Sequence, residues 1–222
     1  MPNTKVSTLI FKAFTMVAII IFIYGWIKFS SKKNELPIIQ GIVLAEEQVL
    51  KAFLLQSTNK NIFNIDKLKG HWTIISYGYT HCPDICPTTL MTLSSLLNHL
   101  DESNQKGQLN AIFYSIDAKR DSIKILTQYT NYFSQDITPL RAKDKSMANI
   151  FEQQLGIQVQ YNENKATNTY EVAHSVSMLL INPNAALQAV ILPNISNLGI
   201  EHFEEQQLYI DFLKVRYYYE TK

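Results

Sequence analysis

Cys82 and Cys86 are the only two cysteines among 222 residues, and they lie four positions apart. They fall in Tyr77-Gly78-Tyr79-Thr80-His81-Cys82-Pro83-Asp84-Ile85-Cys86-Pro87, where an apolar β-type run ends, a polar turn with proline follows, and a helical pattern begins. Both sulfurs are thus expected between the carboxyl end of a strand and the amino end of a helix. The positive end of a helix favours thiolate over thiol, so the pair should be activated. Four-residue spacing also sets two side chains on one face of a helical turn, able to grip a single ion. Thiolates are soft ligands that select copper(I), zinc or iron–sulfur clusters. Two sulfurs leave zinc or iron short of its usual four protein ligands, whereas a low-coordinate copper site needs one donor more.

The histidines are His71, His81, His99, His174 and His202. His174 is the candidate third donor, because Ala173-His174-Ser175 directly precedes an apolar run and so stands at a strand mouth that could face the cysteine turn. An imidazole beside two thiolates would let the site hold copper(II) as well as copper(I). His81 adjoins Cys82, but neighbouring side chains on a turn diverge, so it reads as solvent-facing or supporting. His71, His99 and His202 read as surface residues. Two other uses of the cysteines stay open at this point. One is a structural disulfide, although closing so short a loop stabilises by only about 2 kcal/mol in the chain-entropy model. The other is a thiol–disulfide redox pair, whose usual spacing is Cys-x-x-Cys.

The elements that must position these residues read as an α/β alternation. Short strands are expected at Phe53–Gln56 and Asn61–Phe63 around the turn Ser57-Thr58-Asn59, and a buried strand at Trp72–Tyr79. Pro87–Leu100 has leucines at helical spacing, with Pro87 tolerated in the first turn. Gln108–Ile116 reads as a second buried strand. Ser122–Phe133 reads as a helix capped by Asp121, and Lys145–Leu155 as a helix stopped at Gly156. Ser175–Ile181 and Leu187–Leu192 read as strands joined by Asn182-Pro183-Asn184, and Ile200–Tyr217 as a closing helix. The pattern predicts a central mixed sheet flanked by helices, the thioredoxin-like arrangement.

Residues 9–27 (LIFKAFTMVAIIIFIYGWI) carry one charge, Lys12. As a helix they would span about 28 Å, near the roughly 30 Å hydrocarbon core. Tyr24 and Trp26 suit the interface at one end. The run exceeds the h-region of a signal peptide and no small-x-small cleavage site follows. No cysteine follows for a lipid anchor, and an Arg-rich presequence is absent, the first arginine being Arg120. The expected organisation is a membrane anchor over 1–29, a stalk over 30–48 and a domain over 49–222. The hydrophobic fraction is 46% and the charged fraction 18%, which suits a globular domain and excludes a disordered chain. Twenty Lys and Arg against 19 Asp and Glu give a net charge of +1, with no electrostatic footprint for nucleic acid.

Three segments together resemble the Sco/SenC family of copper-binding cytochrome c oxidase assembly proteins. They are Tyr79–Pro87 around the cysteines, Ser115-Ile116-Asp117-Ala118-Lys119-Arg120-Asp121, and Tyr170-Glu171-Val172-Ala173-His174-Ser175. The resemblance implies that Cys82, Cys86 and His174 are copper ligands, that Asp84 tunes the loop, and that Asp117, Arg120 and Asp121 are structural or surface features near the site. It implies a copper metallochaperone in the bacterial inner membrane, single-pass, with its soluble domain in the periplasm. The implied partners are the copper-accepting subunit of cytochrome c oxidase, other copper chaperones and thioredoxin-like reductants. The alternative is a thiol–disulfide oxidoreductase that keeps the oxidase subunit's cysteines reduced. Two departures stand out: Ala173 replaces the family's Asp before the ligand histidine, and Ala118 its Pro.

Overall fold

The structure, a computed structural model, describes residues 4–31, 35–58, 61–103, 107–164 and 169–222. In chain order it runs α1 (Thr4–Ser31), β1 (Gly41–Val49), β2 (Leu54–Gln56), β3 (Ile62–Asn64), β4 (Trp72–Gly78), α2 (Ile85–Glu102), β5 (Leu109–Ser115), α3 (Ile123–Phe133) and β6 (Ile137–Ala142). There follow α4 (Lys145–Leu155), β7 (Val159–Asn164), β8 (Thr169–His174), β9 (Met178–Ile181), β10 (Ala186–Ile191), β11 (Asn194–Ile195), β12 (Glu201–His202) and α5 (Glu205–Thr221).

Eight strands form one sheet in the order β1-β10-β9-β4-β5-β6-β2-β3. Neighbours β4–β5 and β5–β6 are parallel, while β4–β9, β9–β10 and β10–β1 are antiparallel. This is the expected mixed sheet flanked by helices. All seven residues of β4 are buried, as a strand covered on both faces requires. Successive side chains point to opposite faces, so Ile74 and Phe113 join one core with α2, α3 and α5, while Ile75 and Tyr114 join a second core with α4. Leu90, Leu93, Leu96, Leu97 and Leu100 form the buried stripe of α2. Replacing one of them by Ala would cost about 2–5 kcal/mol.

Register fixes which ends of the strands meet. Ser76 of β4 pairs with Met178 of β9, Met178 with Ile191 of β10, and Ile191 with Gly41 of β1. The end of β4, the start of β9, the end of β10 and the start of β1 therefore share one end of the sheet.

Several boundaries differ from the sequence reading. Residues 41–48 of the expected stalk belong to the edge strand β1. The cap of α3 is Ser122, whose side chain accepts from Ile125 N; Asp121 is spent elsewhere. The last helix starts at Glu205, because residues 194–202 form the β11–β12 hairpin. Strand β6 and the β7–β8 hairpin were not foreseen. The expected turn at Ser57-Thr58-Asn59 is closed by Ser57 N donating to Asn61 O at 2.9 Å, with Asn59 itself outside the described residues. Side chains are described for residues 12–26 of α1 and all are exposed. Over the described residues no helix is long and apolar enough to cross a membrane.

Candidate metal centre

Strand β4 ends at Gly78, and the next residues turn sharply, Cys82 N donating to Tyr79 O at 3.2 Å. Gly78 is what lets a sulfur reach the strand: a Cβ built there would overlap Cys86 Sγ and come within 3.4 Å of the Phe113 ring. Helix α2 starts at Ile85, so Cys86 lies in its first turn while Cys82 sits in the loop before it. The expectation that both sulfurs share one helical face is corrected accordingly. The loop returns Cys82 to the helix end, and the two sulfurs meet there.

Both cysteines are unbridged, and they are 8% and 3% exposed. A hydrogen bond from the Cys86 thiol, helped by the backbone N–H groups of Cys86 and Asp84 and by the charge of His174, outweighs burial and lowers Cys82 to about 5. Cys86 moves the other way, raised by donating its hydrogen bond to Cys82 and by burial. The Cys86 thiol, with the backbone N–H groups of Cys86 and Asp84, therefore favours the thiolate form of Cys82 alone.

Two buried carboxylates hold the surrounding loops. Asp121, with no exposed surface, accepts from Thr80 N at 3.0 Å, Thr80 Oγ1 at 2.5 Å and Ser115 Oγ at 2.7 Å. It thereby ties the residues just before Cys82 to the end of β5. Asp117, equally buried, pairs with the Arg120 guanidinium and accepts from Tyr170 Oη at 2.7 Å. Arg120 also stacks on Tyr170, its guanidinium carbon 4.0 Å from the ring centroid, and donates to Tyr170 O at 3.1 Å. Tyr161 of β7 donates to Ile116 O at 2.6 Å. The β7–β8 hairpin is thus pinned beside the cysteine turn by the residues that follow β5. Sequence reasoning read Asp117 as a turn residue and Asp121 as a cap. Their pattern carried no sign of these longer-range bonds.

His174 is the last residue of β8. Its Nδ1 lies 2.8 Å from Ser175 O, which can only accept, so Nδ1 carries a proton and Nε2 is the nitrogen that would offer a lone pair to a metal in the neutral ring. The ring stands 5.7 Å from that of Tyr77 and 6.2 Å from that of Tyr79, centroid to centroid. Tyr77 Oη also meets Ser175 Oγ at 3.0 Å and Ser177 Oγ at 2.8 Å, which fastens the link from His174 to β9. The imidazole is thus at the same end of the sheet as the cysteines, on the strand that leads into β9. It does not close on them: among the described residues no three His, Cys, Asp or Glu side chains form a group that could hold a metal ion.

The remaining candidates fall aside. His81 points outward, its side chain 58% exposed, with Nδ1 3.2 Å from Thr80 Oγ1. His99 pairs with Glu205 at 2.8 Å and His202 with Glu204 at 3.2 Å. Asp84 is the cap residue of α2 but makes no side-chain cap bond. Ala173 lines two open clefts of about 460 and 450 Å³ that flank β8, the first also bordered by Tyr79, Arg120 and Tyr170, the second by His174.

Residues 43–200 match the sequence profile of SCO1/SenC. An SCO2-like protein of Rickettsia prowazekii is 30% identical over 132 residues, 60% of this chain and 63% of that protein, so the match spans less than two thirds of that relative's length. The copper-bound structure of Bradyrhizobium japonicum ScoI superposes with a TM-score of 0.61 at 25% identity, over 76% of this chain and 99% of that one. The apo Sco1 of Thermus thermophilus gives a TM-score of 0.66 at 20% identity over 79% and 96%, a likeness of fold.

Proposed function

The chain belongs to the SCO1/SenC family, and from that premise we propose that it is a copper metallochaperone serving the assembly of cytochrome c oxidase. One observation carries the reading: Cys82 and Cys86 meet at the head of α2, and His174 arrives at the same end of the sheet on a strand pinned for that purpose. Copper is the cargo. The Cys82 thiolate is ready to bind, Cys86 gives up its proton as the metal enters, and Nε2 of His174 supplies the third donor. Capture requires the His174–Ser177 link to swing inward, since the three donors are apart in the resting arrangement. Delivery follows by ligand exchange, with donors of the oxidase's copper-accepting subunit replacing these three in turn. Oxidation of the sulfurs to a disulfide removes two donors and switches binding off.

The apolar helix α1, whose described side chains include exposed Phe14, Ile20, Phe22 and Trp26, supports a single-pass anchor. The reading places it in a bacterial inner membrane with the domain in the periplasm. The test is copper(I) competition with a chromogenic chelator on the reduced chain. Wild type takes up one copper, and Cys82→Ser, Cys86→Ser and His174→Ala each weaken it at least tenfold, or about 1.4 kcal/mol. Unchanged binding by all three ends the proposal.

A second reading, a thiol–disulfide oxidoreductase acting on the oxidase subunit, is favoured by the split acidity of the two sulfurs, which suits an attacking and a resolving thiol. It has little use for His174. Oxidase assembly rescued fully by His174→Ala, and by neither cysteine variant, would select it.

A further inference from the structure

Hairpin β11–β12 closes on a fixed turn: Ser196 N donates to Ile200 O and Gly199 N to Ser196 O, each at 2.9 Å, with Gly199 at a φ of +76°. Its base is held too, Thr92 Oγ1 donating to Phe203 O at 3.2 Å. Yet this ordered tip presents aliphatic side chains to solvent, Ile195 at 70%, Leu198 at 86% and Ile200 at 51% exposed. Ile38, on the segment entering β1, is 88% exposed. Scattered exposed aliphatics need no explanation, but several on one rigid tip beside a chain entry point do.

The tether says what covers them. Helix α1 ends at Ser31, and the chain is seized again at Ile39, packed on the core, and Gln40, whose N–H donates to the buried Asp211 at 2.9 Å. Eight steps of extended chain reach at most about 29 Å. Gln40 also accepts from Leu192 N at 2.9 Å, two residues before β11 begins. The hairpin is therefore next to the point where the tether enters. That point lies at the same end of the sheet as Gly78 and His174, through the pairs Gly41–Ile191, Ile191–Met178 and Met178–Ser76. The opposite end lies a strand length farther, about 20 Å for six residues.

We propose that the β11–β12 tip, Ile195, Leu198 and Ile200, rests in the lipid interface of the membrane that holds α1. The contact turns the cysteine–histidine end of the domain toward the membrane surface, where a membrane-bound acceptor presents its site. The proposal rests on the reading of α1 as an anchor, and it commits to lipid because the tether brings this edge within reach of the bilayer before any partner arrives.

The test uses the full chain with Trp26→Phe, in vesicles of zwitterionic lipid with or without bromine near the top of the acyl chains. Leu198→Trp is added in one sample and, as a control, His71→Trp, an exposed site just before β4 at the other end of the sheet. Both sites are exposed, so neither change burdens folding. Trp72, buried in β4, remains in both samples, so each reading is the emission in excess of the Trp26→Phe chain without an added tryptophan. That excess from Leu198→Trp should fall at least about twofold in brominated vesicles, since an interfacial apolar face sits roughly 5–10 Å deep. The control should not change. Equal emission from Leu198→Trp in both vesicles overturns the proposal, and so does a change that appears only when the oxidase's copper-accepting domain is added. If the chain fails to float with the vesicles at all, the anchor reading falls and takes the proposal with it.

Discussion

The hydroxyl of Tyr170 donates a 2.7 Å hydrogen bond to Asp117, a carboxylate with no exposed surface at the end of β5. Tyr170 lies on β8 four residues before His174, outside the main sheet, so this bond and the Arg120 stack are what fix the strand's approach. The position of His174, the proposed third donor, is thus set from the residues that follow β5 and not by pairing with the main sheet.

Tyr170→Phe removes that donor and leaves a buried carboxylate acceptor short of a partner. Stability should fall by about 1.5 kcal/mol, which lowers the midpoint of thermal unfolding by about 3–6 °C for a chain of this size. Copper should leave faster to a chelator while its stoichiometry stays at one. Calorimetry and stopped-flow transfer measure the two effects. An unchanged release rate would show that β8 is held by other means.

Tyr77→Phe should act on motion more than on stability. Its hydroxyl meets Ser175 and Ser177, the link that swings in the proposed capture by His174. Losing these neutral bonds costs about 1 kcal/mol, while the freed link should speed copper uptake severalfold. Uptake slower than wild type would contradict the swing.

Gly78→Ala drives a methyl group into Cys86 Sγ with the Phe113 ring close behind. Overpacking of this kind costs about 1–3 kcal/mol. The sulfur that must move is a proposed ligand, so copper affinity should drop even where the fold survives, as circular dichroism beside copper titration would reveal. Wild-type affinity in a folded Gly78→Ala chain would place Cys86 outside the site.

Alkylation of the metal-free reduced chain should report the split sulfur pair. Cys82 is lowered to about 5 by the Cys86 thiol's hydrogen bond, so it is ionised throughout the neutral range. An ordinary thiol, with its pKa near about 8.5, gains thiolate close to tenfold for each pH unit below that value. The Cys82 rate should therefore change little from pH 6 to 8 and fall on acidification through about 5. Cys86→Ala removes the donor and should restore the steep rise. Mass spectrometry of the modified peptide across pH gives the profile; a steep rise in the wild-type chain would refute the shared proton.

Where a strand or helix repeats its burial pattern, the sequence was readable. Trp72–Gly78 is buried throughout and mostly apolar because helices cover both faces, and Lys145–Leu155 ends at Gly156 as expected. The cysteine elbow was legible because a strand, a proline turn and a helix start have local signatures. The β7–β8 hairpin was not. In Gln158–Asn164 only Val159 and Tyr161 alternate with polar residues, too short a signal for a strand, and what holds the hairpin is a pair of tyrosine bonds to Ile116 and Asp117, some fifty residues earlier in the chain. Asp121 looked like a cap because it precedes a helix, but Ser122 was equally able to cap, and burial beside Thr80 and Ser115 decided between them. Edge strand β1 escaped for another reason: the run Ala45-Glu46-Glu47-Gln48 reads as linker, and only pairing with β10 makes it a strand.

X-ray absorption on the copper(I)-loaded chain tests the central claim most directly. The account predicts two sulfur scatterers and one imidazole nitrogen in the wild type, with the nitrogen signal lost in His174→Ala and one sulfur lost in each of Cys82→Ser and Cys86→Ser. An imidazole signal that persists in His174→Ala, or a sulfur count unaffected by either serine substitution, would contradict it.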